Sequence, residues 1–98
     1  MAVLLIVEDD TATNEAICEY MSSAGHKVLS AFDGEHGLQI AREKSIDLVV
    51  LDIMLPKRTG LEVLKELRQT SGIPVLMLTA LDDEPTQAAS FEIGRAHV

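Results

Sequence analysis

Three apolar runs and one mixed run set the rhythm of this chain. Val3-Leu4-Leu5-Ile6-Val7 ends in Glu8-Asp9-Asp10, Leu48-Val49-Val50-Leu51 follows Asp47 and runs into Asp52, and Val75-Leu76-Met77-Leu78 follows Pro74 and reaches Thr79-Ala80. Uninterrupted apolar runs of this length with β-branched members predict strands covered on both faces, as in a parallel sheet. Pro56, four positions after Asp52, keeps the third strand from continuing. Lys27-Val28-Leu29-Ser30-Ala31 is the more polar run and reads as an edge strand.

Between the strands the period lengthens. Asp10 or Thr11 is placed to cap a first helix, with Ile17, Met21 and Ala24 spaced for a buried face and Gly25 ending it. Asp33-Gly34 is a turn or cap, and Gly37, Leu38, Ile40 and Ala41 form the inner stripe of a second helix reaching about Lys44. After the loop Met54-Leu55-Pro56-Lys57-Arg58-Thr59-Gly60, a third helix runs through Arg68, packing by Leu61, Leu64 and Leu67, until Ser71-Gly72 breaks it. Asp82-Asp83-Glu84-Pro85 reads as an acidic start of a fourth helix carried on by Ala88-Ala89 to Phe91. The alternation βαβαβαβα with short loops and right-handed crossovers predicts an α/β, doubly wound parallel sheet with helices on both faces.

Composition narrows the function more than the fold. With 98 residues and 47% hydrophobic positions, the chain suits one small domain with a real core. A net charge of −8 argues against non-specific binding to nucleic acid or to an anionic membrane. Cys18 has no partner for an internal disulfide, the first residues lack a basic leader, and no apolar run could span a bilayer, so a reduced cytoplasmic setting is the expectation. Cys18, Met21 and Met77 read as packing, and Lys57 and Arg58 as a solvated loop beside the third strand's end.

Three strands therefore finish in polar side chains: Glu8 and Asp9, Asp52, and Thr79. In open α/β sheets ligands bind at the carboxyl ends of the strands, where a reversal of strand order would bring these groups together. Two carboxylates near 4 Å repel by about 4 kcal/mol at an effective dielectric of 20, so a cation is expected among them. An all-oxygen set of a few carboxylates and a backbone carbonyl suits Mg²⁺ and not zinc, while His26 and His36 fall at the wrong ends of their elements to join. A carboxylate beside such an ion is a ligand, a general base or a nucleophile that forms an aspartyl phosphate, and the Thr79 hydroxyl would then meet a phosphoryl oxygen.

Leu5-Ile6-Val7-Glu8-Asp9-Asp10, the stretch from Asp47 to Pro56 with Gly60 following, and Pro74-Val75-Leu76-Met77-Leu78-Thr79-Ala80 together resemble the receiver domain of two-component response regulators, collinearly from about Val3 to Gly94. The resemblance implies a flavodoxin-like receiver fold with strand order 2-1-3-4. It implies Asp52 as phosphoacceptor, and a Mg²⁺ site of Glu8, Asp9, Asp52 and the Met54 backbone carbonyl. It implies Thr79 as the switch hydroxyl with Ala80 as the small residue beside it. A sensor histidine kinase is the implied phosphodonor, and the outcome is a signalling switch with self-phosphorylation and self-dephosphorylation only. The Glu-Asp pair and Met54-Leu55-Pro56 look most like receivers that carry a winged-helix output domain, which implies transcription regulation and a homodimer in the full-length protein, with no direct nucleic-acid binding by this segment.

The chain departs from that pattern at its end. The family's fifth strand, its phosphate-pairing lysine, an aromatic switch residue and the fifth helix have no counterpart in these 98 residues. Residues 1–94 read as an incomplete receiver and 95–98 as a non-native tail, which begins at 92 if Glu92 to Val98 is taken as the reading frame of a sequencing adaptor that it resembles. The fourth strand is then expected as a bare apolar edge, with lowered stability and self-association. The alternatives are a Mg²⁺-dependent phosphatase of the haloacid-dehalogenase type, whose second aspartate is replaced here by Met54, and a fragment without function.

Overall fold

The computed structural model describes residues 1–78 and the backbone of 89–92. Its elements are β1 (Val3–Val7), α1 (Thr11–Ser23), β2 (Lys27–Ala31), α2 (Gly34–Glu43), β3 (Leu48–Asp52), α3 (Gly60–Arg68), β4 (Val75–Leu78) and β5 (Ala89–Glu92). Strands β1 to β4 run parallel in the order 2-1-3-4. The sheet starts at β1, moves outward to β2 and returns across β1 to β3, so the strand order reverses between β1 and β3.

The alternation of side chains along each strand sorts them onto two faces. Leu5, Val7, Val49, Leu51, Val75 and Met77 form one buried cluster with Leu38 of α2 and Val63 and Leu67 of α3. Leu4, Ile6 and Val50, also buried, occupy the other positions, on the side where α1 packs over β1 and β2. A strand apolar at every position is what two covered faces require, and β2, with only Ala31 buried, is the edge its polarity predicts.

Within the helices the inner stripe of α2 is as expected, with Gly34, Gly37 and Leu38 buried and Ile40 and Ala41 half-buried. A Cβ at Gly37 would come within 2.8 Å of Val7 Cγ2, so the glycine is what lets α2 lie against β1. In α3 the stripe is turned by one position. Val63 and Leu67 are buried and Leu64 is half-buried, whereas Leu61 is 59% exposed, because Gly60 takes the inner place in the first turn. In α1, Ile17 and Met21 are half-buried, but Ala24 is exposed at the C-cap, just before Gly25 at φ +97. Leu67→Ala is therefore expected to cost about 2 to 5 kcal/mol in urea unfolding, against less than about 0.5 kcal/mol for Leu61→Ala.

A second correction concerns the sheet's far edge. The sequence placed a fourth helix over Ala89 to Phe91 and left β4 bare, whereas β5 pairs antiparallel with β4, from Val75↔Glu92 to Leu78↔Ala89. The unpaired N–H and C=O groups along an apolar edge are costly to leave open, and pairing them outweighs the local helical pattern. With its edge covered, β4 loses the feature on which self-association was expected. The predicted start of that helix at Asp82 to Pro85 lies outside the described residues, as does the tail beyond Glu92.

Candidate functional site

The site begins with register. Leu4 pairs with Leu48 and Ile6 with Val50, so the next residues of like parity, Glu8 and Asp52, leave adjacent strands on the same face at the same height. Both are buried, each 6% exposed, and Asp9 beside them is exposed. Carboxylate oxygens of Glu8, Asp9 and Asp52 lie within 4.8 Å of one another. The two acids that end β1 and the acid that ends β3 thus meet where the strand order reverses, as the sequence predicts.

Backbone donors hold this arrangement. The Asp10 N–H donates to Glu8 Oε2 at 2.9 Å, and the Met54 N–H donates to Asp52 Oδ1 at 3.2 Å. Asp10 belongs to the helix instead of the cluster. As N-cap of α1 its Oδ2 accepts from the Thr13 hydroxyl at 2.6 Å and the Thr13 N–H at 2.9 Å, which hold its carboxyl below the usual range. His26 Nδ1 accepts from the Ala2 N–H, and His36 follows the cap of α2, so neither histidine reaches the acids.

Burial pushes the Glu8 carboxyl up to about 7, with the negative charges of Asp52 and Asp9 adding to the effect, and burial raises Asp52 as well. Where no cation neutralises the cluster, a proton held by the buried Glu8–Asp52 pair relieves the repulsion between carboxylates that lie within 4.8 Å of one another. A carboxyl that binds its proton more tightly in the folded chain stabilises the fold as pH falls from 7 toward 4.5, and that stabilisation is lost as pH rises through 7. Asp10 and Glu66 shift the opposite way, below their ordinary values, so they act at lower pH. Without divalent cations the chain is expected to be more stable at pH 5 than at pH 8, on the order of 2 kcal/mol at about 1.4 kcal/mol per unit. Urea melts at the two pH values in a metal chelator measure this; equal midpoints would contradict it.

The loop after the site is built tightly. The Arg58 N–H donates to the Pro56 carbonyl at 2.7 Å across Lys57, whose φ of +71 makes this a γ-turn of the rarer, strained hand. Thr59 then caps α3, accepting from the Glu62 N–H while Glu62 Oε1 accepts from the Thr59 N–H. Arg58 is not the solvated residue the sequence implied. Its guanidinium pairs with Glu35 of α2 at 2.8 Å and with Glu66 of α3, and Arg42 of α2 reaches Glu66 at 3.0 Å. The Glu66 carboxyl is held low by Arg58 and then by Arg42. An open cleft of about 500 Å³ beside this network, lined by Lys57, Arg58, Glu62, Lys65, Glu66 and Gln69, contains none of the three clustered acids.

Asn14 escaped the sequence reading. It is buried in α1 and donates to the backbone at the ends of β1 and β2. Its one signal was position: it lies three and seven residues before Ile17 and Met21, on the same helical stripe. Thr79 and Ala80 lie outside the described residues. No helix among the described residues is long and apolar enough to cross a membrane.

The cluster matches the chemistry expected of a hard divalent cation: three carboxylates converge with oxygen donors only, two of them buried and their charge costly without a counter-ion. A family model described as the response regulator receiver domain matches residues 4–98. CpxR of Klebsiella pneumoniae, a transcriptional regulatory protein, is 42% identical over 94 residues, covering 96% of this chain and 40% of that protein. AfsQ1 of Streptomyces coelicolor, also a transcriptional regulatory protein, is 40% identical over 94 residues, covering 96% and 42%. The chain spans about 40% of the length of these curated relatives. The structure of TrrA from Thermotoga maritima, a response regulator in complex with Mg²⁺-BeF, superposes with a TM-score of 0.79 at 31% identity, covering 89% of this chain and 76% of that one.

Proposed function

Because the chain belongs to the response regulator receiver domains, a family of signalling modules in two-component systems and not of classical enzymes, we propose that it accepts a phosphoryl group on Asp52 from a sensor histidine kinase. The observation that carries this reading is the convergence of Glu8, Asp9 and Asp52 within 4.8 Å at the ends of two adjacent parallel strands. One Asp52 oxygen attacks phosphorus, the bond from phosphorus to the donor histidine nitrogen breaks, and the imidazole leaves with the electron pair. The Met54 N–H, which already donates to Asp52 Oδ1, orients the carboxylate for that attack. Glu8, Asp9, Asp52 and the Met54 carbonyl would hold Mg²⁺, which when bound neutralises charge on the equatorial phosphoryl oxygens.

Thr79 takes the role of switch hydroxyl and Ala80 leaves room beside it, so that phosphorylation shifts the population of conformers at the face that relays the signal. In the full-length protein this module controls an output and acts as a homodimer, and transcription regulation is the output that CpxR and AfsQ1, both transcriptional regulatory proteins, support. The setting is the cytoplasm.

Mg²⁺ titration followed by amide correlation NMR tests the site. Shifts are expected at Glu8, Asp9 and Asp52 through Met54, and Mg²⁺ should raise the unfolding midpoint more at pH 8 than at pH 5, because protons compete for the same oxygens at the lower pH. A spectrum indifferent to Mg²⁺ at both pH values would sink the reading.

A further inference from the structure

Helix α1 gives its most buried position to an amide. Asn14 is 1% exposed, more deeply buried than any apolar residue of that helix. Its Nδ2 donates to the Glu8 carbonyl at 2.9 Å and to the Ala31 carbonyl at 3.1 Å, and its Oδ1 accepts from the Cys18 thiol at 3.3 Å. Both backbone partners are acceptors, so the orientation of the amide group is fixed by chemistry. Every hydrogen-bonding atom of the side chain is engaged, which is the condition under which a buried polar group is tolerated.

The position of these bonds gives them a purpose. Paired strands β1 and β2 end at Val7 and Ala31, and the last bond between them runs from the Glu8 N–H to the Ala31 carbonyl at 3.1 Å. Beyond it the Glu8 carbonyl has passed the end of the ladder to β2, and Asn14 supplies the donor. The Glu8 peptide is therefore held on both sides, by β2 through its N–H and by α1 through its carbonyl. The chain then turns through Asp9 to the cap at Asp10, whose carbonyl accepts from the Asn14 N–H at 2.9 Å. One residue thus grips both ends of the turn that presents Glu8 and Asp9 to Asp52.

We propose that Asn14 is the positioning residue of the acidic site, setting through the Glu8 carbonyl the approach of Glu8 and Asp9 to Asp52. It touches neither the cation nor the phosphoryl group, and the proposal rests on the reading of this cluster as a Mg²⁺-dependent phosphoacceptor site. Residues that orient the ligands of a metal typically change its affinity about 10- to 100-fold when replaced.

The test compares Asn14→Ala and Asn14→Asp with the parent chain and with Ile46→Ala. Asp has the shape of Asn but only acceptors to set against two carbonyls. Ile46 is buried before β3, at the opposite end of the sheet, and controls for loss of stability alone. Mg²⁺ affinity is read by NMR on the folded chain, in a stabilising osmolyte so that each variant is folded, and the rate of labelling by phosphoramidate is read at saturating and at low Mg²⁺. Both Asn14 variants are expected to bind Mg²⁺ at least tenfold more weakly, with labelling largely restored at saturating Mg²⁺, and Ile46→Ala to bind as the parent does. Parental Mg²⁺ affinity in folded Asn14→Ala overturns the proposal and leaves the site reading intact, as does an equal loss in Ile46→Ala. A parent chain that neither binds Mg²⁺ nor is labelled overturns the site reading and the proposal together.

Discussion

Asp52→Asn is expected to reduce labelling by phosphoramidate to background, at least roughly 10³-fold below the parent, because the amide is not a nucleophile toward phosphorus. The substitution is nearly isosteric, and its Oδ1 still accepts from the Met54 N–H, so the fold should survive it. Stability without metal should in fact rise at pH 8. The parent there holds Glu8, Asp9 and Asp52 together with too few protons to neutralise them, and removing one charge relieves a repulsion of about 1 kcal/mol or more. Mass spectrometry after labelling and urea melts at pH 8 read the two effects separately. A label that persists on the asparagine variant would place the phosphoryl group on another residue, and a fall in stability at pH 8 would mean that the acids are not in repulsive contact.

Gly60→Ala is expected to be the most damaging single methyl group in the described chain, at roughly 3 kcal/mol or more. Gly60 is buried where α3 begins, and its N–H donates to the Ile53 carbonyl at 2.7 Å. An added Cβ would collide with the Asp52 carbonyl oxygen and come within 2.8 Å of Ile53 Cα. Both are backbone atoms at the end of β3, fixed by the pairing of Asp52 with Leu78 and by the bond from the Ile53 N–H to the Leu78 carbonyl at 3.0 Å. They cannot swing aside as the tip of a side chain would. Relief has to come from moving β3's end, and Asp52 moves with it, so Mg²⁺ binding should fall alongside stability. Gly72→Ala, where an added Cβ meets nothing within 4 Å, is the control expected to be near neutral. Equal urea midpoints for Gly60→Ala and the parent would show that the α3 start can shift freely against the strand.

What could be read from the sequence and what could not divide along a physical line. The strands at Val3, Leu48 and Val75 were legible because burial on two faces leaves a continuous apolar run, the edge strand at Lys27 because its mixed pattern marks one covered face, and Glu8, Asp9 and Asp52 because they stand at the ends of two such apolar runs. Asn14 was not, since a buried amide has the same local signature as an exposed one until its carbonyl partners are known. Arg58 was misread for the same reason: Glu35 and Glu66, 23 and 8 residues away, decide whether a loop arginine is solvated. The misplaced helix at Ala89 has another cause. A short stretch of helix-forming residues carries a weak preference, and a neighbouring unpaired edge overrides it.

The topology also bears on how the chain is made. Strand β1 lies inside the sheet, yet both of its partners come later in the chain: Leu4 waits for Val28, and on its other edge for Leu48. During synthesis at roughly 5 to 20 residues per second, Leu4-Leu5-Ile6-Val7 therefore stays without its second neighbour for on the order of seconds. Closing such long loops must precede any pairing, which makes parallel sheets slow to nucleate. In that interval the segment that will become the most protected strand is the one most open to capture by a chaperone or by another nascent chain.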